Sequence, residues 1–142
     1  PLKGIDSPPS RIEEAPMSDD RQVDRLREVI DAFNRHDLDA IMSHFAEDCV
    51  LEAPRGPDRC GRRFVGRAEV RGALAARFEG IPNVHYSDDS HFASGARGVS
   101  EWTITGTTAD GVTVDVRGCD IWTFDSDGHI ARKDSFWKIR DP

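Results

Sequence analysis

Cysteine is scarce in this chain, and its few copies form no recognisable pattern. The three cysteines among 142 residues are Cys49, Cys60 and Cys119, and no two of them form a Cys-x-x-Cys motif. An odd number of widely spaced cysteines argues against a disulfide framework and favours a reducing, cytoplasmic location. The five histidines lack the His-x-His and His-Glu-x-x-His spacings of metal sites. We therefore expect neither a metal nor another cofactor.

Further absences narrow the class of protein. No apolar run approaches the roughly 18 residues of a membrane-spanning helix, and no continuous apolar segment near the N-terminus indicates a signal peptide. Basic residues are outnumbered, with 19 Lys and Arg against 26 Asp and Glu. Because a broad basic surface is missing, neither nucleic acid nor a membrane is an expected partner. The spacing also indicates no Ser-His-Asp constellation and no Gly-rich phosphate loop after a strand.

The N-terminal segment differs in composition from the rest. Residues 1–19 contain Pro8, Pro9, Pro16 and several charges but few apolar side chains. Little in this segment can offset the entropy lost on ordering, so we predict a flexible leader. The remaining residues, 20–142, are of the right length for one domain with a single core.

The first half of this domain has helical periodicity. An apolar stripe predicts the first helix: Val23, Leu26, Val29, Ile30 and Phe33. Asp37 can cap a short second helix, which would bury Leu38, Ile41, Met42 and Phe45. A short strand is predicted over residues 49–51, and a loop rich in Pro, Gly and Arg over residues 54–63. A third helix is predicted over residues 67–79, ending before Gly80 and Pro82.

The second half has the pattern of an antiparallel meander. Four strands are predicted, over residues 84–93, 97–108, 112–124 and 130–139. The turns between them fall at Gly95, Asp110-Gly111 and Asp127-Gly128, as hairpin chemistry favours. Helices followed by a long antiparallel sheet indicate the α+β class.

Several short motifs, weak singly, occur in an informative order. They are Asn34-Arg35-His36-Asp37-Leu38-Asp39-Ala40-Ile41, Phe45-Ala46-Glu47-Asp48, Glu52-Ala53-Pro54, Phe64-Val65-Gly66-Arg67, Glu101-Trp102-Thr103 and Asp127-Gly128-His129-Ile130. With them, the chain from Asp20 to Arg140 resembles the nuclear-transport-factor-2-like (NTF2-like) superfamily, and within it the SnoaL-like polyketide cyclase and ketosteroid isomerase branch. The resemblance implies a cone in which three N-terminal helices are wrapped by a curved antiparallel sheet enclosing a pocket. It also implies a homodimer through the outer sheet face.

The resemblance carries over to individual residues only in part. Where ketosteroid isomerases have their general base, this chain has Ala53, and Val29 stands at the position of their tyrosine donor. Their second, protonated aspartate corresponds to Asp120. Hydrolase-like and cyclase-like relatives place an essential aspartate on the last strand, where this chain has Ser135 with Asp134 next to it. A one-residue offset turns a side chain to the other face of the sheet.

Asp120 is the main candidate for chemistry, because it lies in the apolar strand segment Gly118 to Phe124. A carboxylate there is costly unless it is paired, protonated or functional. Strand alternation and the fold analogy place Asp120, Glu101 and Trp137 on pocket-facing sides, and Trp102 beneath the sheet or in a dimer seam. Two carboxylates in one cavity would share a proton and supply both acid and base.

The predicted site therefore has catalytic and binding members. Asp120 and Glu101 are the catalytic candidates, and the substrate-binding candidates are Trp122, Trp137, Lys133, Ser135 and Phe33. Two alternatives stay open: the acids form an ionic network with Lys133 or an arginine such as Arg117, and the tryptophans are ordinary core. The Arg-rich loop around Arg62 either gates the cavity for an anionic substrate or is simply solvated.

Two functions follow as hypotheses. The first is a cofactor-independent enzyme that isomerises, cyclises or dehydrates a hydrophobic carbonyl or polyketide-like molecule by general acid–base chemistry. The second is a non-catalytic small-molecule binding or pathway-accessory domain of the same fold. An interaction module using the sheet face is a third reading, for which the sequence supplies no partner. For a dimer, the outer face would present Arg117, Cys119, Ile121, Thr123 and Phe136.

Overall fold

A computed structural model of the chain describes residues 19–142, so the predicted leader, apart from Asp19, lies outside the described residues. The helices in this range are α1 (Asp19–Asn34), α2 (Leu38–Met42) and α3 (Arg67–Gly80). The stripe predicted for the first helix is confirmed for four of its members, since α1 buries Leu26, Val29, Ile30 and Phe33. None of the helices among residues 19–142 is long and apolar enough to cross a membrane.

The short second helix begins at the predicted cap. An Oδ1 atom of Asp37 accepts a hydrogen bond from the backbone N–H of Ala40 at 3.1 Å, which satisfies a donor at the start of α2. Phe45, however, does not belong to this helix. It is the first residue of a strand and is nearly fully buried.

All strands of the described range form one curved sheet. They are β1 (Phe45–Asp58), β2 (Gly61–Val65), β3 (His85–Ser94), β4 (Arg97–Thr107), β5 (Thr113–Phe124) and β6 (Ile130–Trp137). The six strands lie in the order β2-β1-β6-β5-β4-β3. Neighbours are antiparallel except β1 and β6, which run parallel. Helices packed against such an open sheet confirm the predicted α+β cone.

The segment 54–63, predicted as a loop, is instead mostly strand. β1 continues to Asp58, and β2 returns from Gly61, where φ is 85°. The prolines misled the prediction because they argue against a regular ladder. They are tolerated here because the β1–β2 register shifts between Ala53 and Asp58, where no regular ladder bond is required of Pro54 or Pro57.

The face assignment for β4 was wrong by one residue. Ser100, Trp102 and Ile104 point into the core, and Glu101 is exposed on the opposite face. The reason is the pairing with β5, in which Ser100 lies opposite Asp120, and directly paired residues share a face. A shift of one residue exchanges the two faces of a strand. Trp102 therefore lies on the inner face of the sheet, and not beneath the sheet or in a dimer seam as expected.

Gly118 lets the inner face of the sheet close on Trp102. Gly118 on β5 lies opposite Trp102 on one side and Trp137 on the other. A Cβ at this position would stand 2.5 Å from the Trp102 ring and 2.5 Å from the carbonyl oxygen of Phe136. Any larger residue must therefore push the indole or the β6 backbone away.

We predict that Gly118→Ala lowers the free energy of unfolding by about 1–3 kcal/mol, because the methyl group overpacks a closed contact. Urea denaturation measures the change. Gly72→Ala is the matched control, since a Cβ at Gly72 meets nothing within 4 Å and alanine raises helix propensity by up to about 1 kcal/mol. Equal stability of Gly118→Ala and wild type would contradict the close-contact account.

Candidate small-molecule site

Asp120 is the centre of a buried polar cluster. It is 2% exposed, and its Oδ1 atom accepts hydrogen bonds from Lys133 Nζ at 2.8 Å and Ser135 Oγ at 2.6 Å. Its Oδ2 atom accepts from Trp102 Nε1 at 3.0 Å. We call these four residues the Asp120 cluster. Both carboxylate oxygens are satisfied, so the cost of burying the charge is offset by a paired cation and two neutral donors.

Strand register brings the cluster together. Asp120 on β5 lies directly opposite Ser135 on β6, and Lys133 lies opposite Trp122 two pairs further along, on the same face of the sheet. The Lys133 ammonium also lies 5.4 Å from the ring centre of Phe33 and 5.6 Å from that of Trp122. The sequence analysis left open whether Asp120 pairs with Lys133 or with an arginine. The structure shows the ion pair with Lys133.

A cavity of about 700 Å³ lies beside this cluster. Lys133, Ser135 and Trp102 line it, whereas Asp120, to which all of them donate hydrogen bonds, does not. The apolar and aromatic part of the wall consists of Leu51, Ala53, Pro54, Phe64, Leu74, Tyr86 and Trp137. The charged part consists of Arg62, Arg63, Glu69 and Arg77.

Small residues on α3 leave room for this cavity. Gly72, Ala73 and Ala76 line it at a spacing that puts them on one helical face with Glu69 and Arg77. A Cβ built on Gly72 meets nothing within 4 Å. The helix therefore covers the cavity without filling it.

Tyr86 is a site residue that the sequence analysis missed. It lines the cavity from β3, and its ring makes edge contacts with Trp102 at 5.1 Å and Phe33 at 5.8 Å between ring centres. Burial raises the pKa of its phenol; the charge of Arg77 lowers this pKa, and the charge of Asp120 raises it. The hydroxyl therefore stays protonated and can donate. Tyr86 could have been found from the sequence, because it is the single tyrosine of the chain and lies in a largely polar strand.

The predicted substrate-binding residues fall into two groups. Lys133, Ser135 and Trp137 line the cavity. Trp122 and Phe33 are 0% and 2% exposed and pack around Lys133 without lining the cavity, so for them the core alternative describes the structure better. Their assignment to substrate contact has no support in this geometry.

Glu101 does not share the cavity with Asp120. It is exposed on the outer face, where its β5 partner is Cys119. The idea of two carboxylates sharing a proton in one cavity is therefore wrong, because the parity of β4 turns Glu101 away.

A hydrogen-bonded Asp-His-Ser chain exists, although none was expected from the spacing. His91 bonds Asp89 Oδ2 through Nε2 and Ser100 Oγ through Nδ1, both at 2.7 Å. Ser100 is fully buried, and its Oγ also accepts from Trp122 Nε1 at 2.9 Å. A serine so enclosed cannot reach a substrate as a nucleophile. These hydrogen bonds instead hold the indole of Trp122 in place, and Lys133 packs on that indole.

A second charged cluster lies on the outer face of the sheet. Glu52 is fully buried between Arg63, whose Nη2 and Nε lie 2.6 and 3.0 Å from Oε2, and Arg132, whose Nε lies 2.9 Å from Oε1. Arg132 Nη2 also donates to Asp134 at 3.3 Å. Asp134, the neighbour of Ser135, therefore belongs to this outer cluster and not to the cavity.

Opposing effects act on the pKa of Glu52. Burial alone would raise it, but hydrogen bonds and charges of Arg132 and Arg63 outweigh burial and hold the pKa below its usual range. In Asp134 burial dominates and raises the pKa, against the charge of Arg132.

One acidic turn also gathers possible metal ligands. Atoms of Asp125, Asp127 and His129 lie within 4.8 Å of one another. Asp125 Oδ1 accepts from the backbone N–H groups of Asp127 at 2.9 Å and His129 at 3.0 Å. These bonds are those of an Asx-type turn, which accounts for the cluster as part of the β5–β6 connection.

The fold, with a cavity between the helices and the curved sheet, is that of an NTF2-like protein. A sequence model of the SnoaL-like domain matches residues 26–133. The chain therefore belongs to the SnoaL-like domain family. Comparison with curated proteins gives no match.

Solved structures share this fold. A candidate polyketide cyclase from Xanthomonas campestris pv. campestris is 25% identical with a TM-score of 0.73, over 84% of this chain and 91% of that one. An NTF2-like protein of unknown function from Mesorhizobium loti is 26% identical with a TM-score of 0.70, over 85% and 93%. A candidate polyketide cyclase from Pseudomonas putida KT2440 is 19% identical with a TM-score of 0.74, over 83% and 92%, and shows the fold alone.

We predict that the stability contributed by Glu52 depends on pH. Because its folded pKa is lowered, its contribution is full above the unfolded value of about 4.3 and is lost as pH falls through the folded value. The difference in unfolding free energy between wild type and Glu52→Gln should therefore be largest near neutral pH and shrink below about pH 4. Urea denaturation from pH 3 to pH 8 measures it.

The matched control is Glu101→Gln, which removes an exposed carboxylate from the same outer face. Its effect should be small throughout, because an exposed charge contributes little. A Glu52→Gln difference that stays constant between pH 7 and pH 3 would contradict the paired carboxylate.

Proposed function

We propose that the protein binds a hydrophobic carbonyl or polyketide-like molecule in the cavity and acts on it by cofactor-independent proton transfer, as an isomerase, cyclase or dehydratase. The observation that carries the proposal is the pair of polar groups on the cavity wall, the Lys133 ammonium and the Ser135 hydroxyl, both anchored on a buried Asp120. Membership of the SnoaL-like family and the similarity to a candidate polyketide cyclase support it.

The chemistry follows from what each group can donate or accept. Lys133, with Tyr86 on the same wall, donates to a carbonyl oxygen and stabilises the charge that develops there during enolisation. Ser135 accepts the proton lost from the adjacent carbon while its own proton passes to Asp120 Oδ1, 2.6 Å away. Return of the proton at another atom completes an isomerisation. Asp120 thus acts through Ser135 rather than on the substrate directly.

The alternative is a binding or pathway-accessory domain without catalysis. Two observations favour it. Both oxygens of Asp120 already accept hydrogen bonds from neighbouring side chains, and Asp120 does not line the cavity. In addition, Ala53 lines the cavity at the position where the ketosteroid isomerase branch has its base. Such a protein would bind its ligand and release it unchanged.

We predict that the wild-type protein accelerates deuterium exchange at the carbon next to the carbonyl of bound planar ketones in D₂O, measured by NMR. Asp120→Asn should lose about 10²–10⁴-fold of this rate while still binding, because the amide oxygen can still accept from Lys133 and Ser135 but the amide cannot take the proton. The hydrogen bond from Trp102 to the second carboxylate oxygen is lost in this variant. Glu101→Gln is the control and should exchange at the wild-type rate. Binding without accelerated exchange in wild type would establish the accessory alternative.

A second proposal concerns assembly and location. We propose a homodimer through the outer sheet face, where Phe136 is 48% and Phe92 55% exposed beside half-buried Cys119 and Ile121. Such an apolar surface favours burial against a second copy. Arg117 and Thr123 lie on the same face. The leader over residues 1–19 and the cytoplasmic location also stay predictions.

We predict that Phe136→Glu converts the dimer to a monomer at micromolar concentration, because it replaces an exposed aromatic side chain of this face with a charge. Sedimentation velocity measures the change. Val112→Glu, at a 57% exposed valine before β5, is the control and should leave the dimer intact. A wild-type protein that sediments as a monomer would overturn the proposal.

A further inference from the structure

The cavity carries more positive charge than its surroundings. Arg62, Arg63, Arg77 and Lys133 line it, against one acid, Glu69. The chain as a whole has a net charge of −7. A positive cavity in an acidic protein concentrates anions at one place, because the field lines focus where the low-dielectric walls are.

Two of these cations already have partners. Arg63 is bound to Glu52, and Lys133 to Asp120. Glu69 is also engaged, since its Oε1 atom accepts the backbone N–H of Val65 at 2.9 Å. The fixed acids near the cavity therefore neutralise two of its cations and leave the other two.

Arg62 and Arg77 are those remaining cations. No ion pair formed among residues 19–142 involves either of them. Arg77 is half-buried, and its guanidinium carbon lies 4.6 Å from the centre of the Trp137 ring. Stacking on an aromatic face fixes the plane of a guanidinium and leaves its N–H edge available for a bidentate bond to a carboxylate.

The rest of the wall defines the body of the ligand. Leu51, Phe64, Leu74 and Trp137 present apolar surface, and Gly72 opens the space opposite them. A ligand that matches both features has a flat apolar body and one anionic group. A phosphate is less suited, because no Gly-rich loop among residues 19–142 lines the cavity.

We propose that the ligand is a hydrophobic keto acid, whose carboxylate is bound by Arg77 and Arg62 while its carbonyl group reaches Lys133. This inference rests on the proposed function, because it names the substrate class of the same cavity. It assigns to Arg77 the role of a specificity residue: the stacked guanidinium selects the acid over neutral analogues of the same shape. The cavity wall selects the apolar body.

The test uses 4-benzoylbenzoate and its neutral carboxamide, two probes with the same diaryl ketone body. Titration calorimetry at moderate salt should show the acid binding at least about tenfold more tightly than the amide. Arg77→Gln should weaken the acid by about 10–100-fold and leave the amide unchanged, as expected for a lost charge-assisted hydrogen bond. Arg62→Gln should weaken the acid in the same direction.

Two controls separate the possible failures. Arg71→Gln removes a charge from the same helix, at a residue paired with Asp39 at 2.8 Å and absent from the cavity wall, and should change neither affinity. Gly72→Leu fills the cavity and should abolish binding of both probes.

Each outcome then has one meaning. Equal affinity for acid and amide, or equal effects of Arg77→Gln and Arg71→Gln, would overturn the keto-acid inference while the binding function stands. Binding of neither probe to wild type would overturn both. Binding that survives Gly72→Leu would place the ligand outside this cavity and also overturn both.

Discussion

The buried ion pair between Asp120 and Lys133 is the interaction on which the inner face of the sheet depends. Taking two charges out of water costs several kcal/mol for each ion, and the cost is offset only when the geometry is close and the remaining polar atoms are bonded. Here Ser135 and Trp102 complete the bonding of the carboxylate. The donors come from both strands that flank Asp120, so β4, β5 and β6 must be in register together. A slip of any one strand would leave a charge buried without its partner.

That constraint also explains why a cavity can persist beside the cluster. An apolar interior tends to close-pack, and an empty space normally loses contact energy. In this chain, Lys133 and Ser135 are held at the cavity wall by Asp120, and the small residues of α3 opposite them, such as Gly72 and Ala73, cannot reach across. The space therefore has fixed polar groups on one side and a helix face of small residues on the other. Repacking of the side chains around it therefore does not close it.

The sequence predicted those features that depend on local periodicity and on single unusual residues. The stripe of α1, the cap at Asp37 and the isolation of Asp120 in an apolar strand belong to this group. Features set by the pairing between strands could not be predicted from local periodicity. Glu101 turned outwards because its face is fixed by the β4–β5 register, and nothing within residues 97–108 reveals that register. The segment after Pro54 was misread for a related reason, because a bulge can accommodate prolines that a regular ladder excludes.

The arrangement of charge bears on whether the cavity serves catalysis or only binding. A carrier of apolar ligands gains nothing from a buried ion pair, since apolar residues of the same volume are often as stable or more so. An enzyme does gain, because a donor that is already oriented when charge develops needs no reorganisation during the reaction. In the proposed function Lys133 takes this role, since it is fixed by Asp120 and packed on Trp122, which is in turn held by the Ser100–His91 hydrogen bonds. We interpret this support, four residues behind one ammonium group, as favouring the proposed catalysis over simple binding.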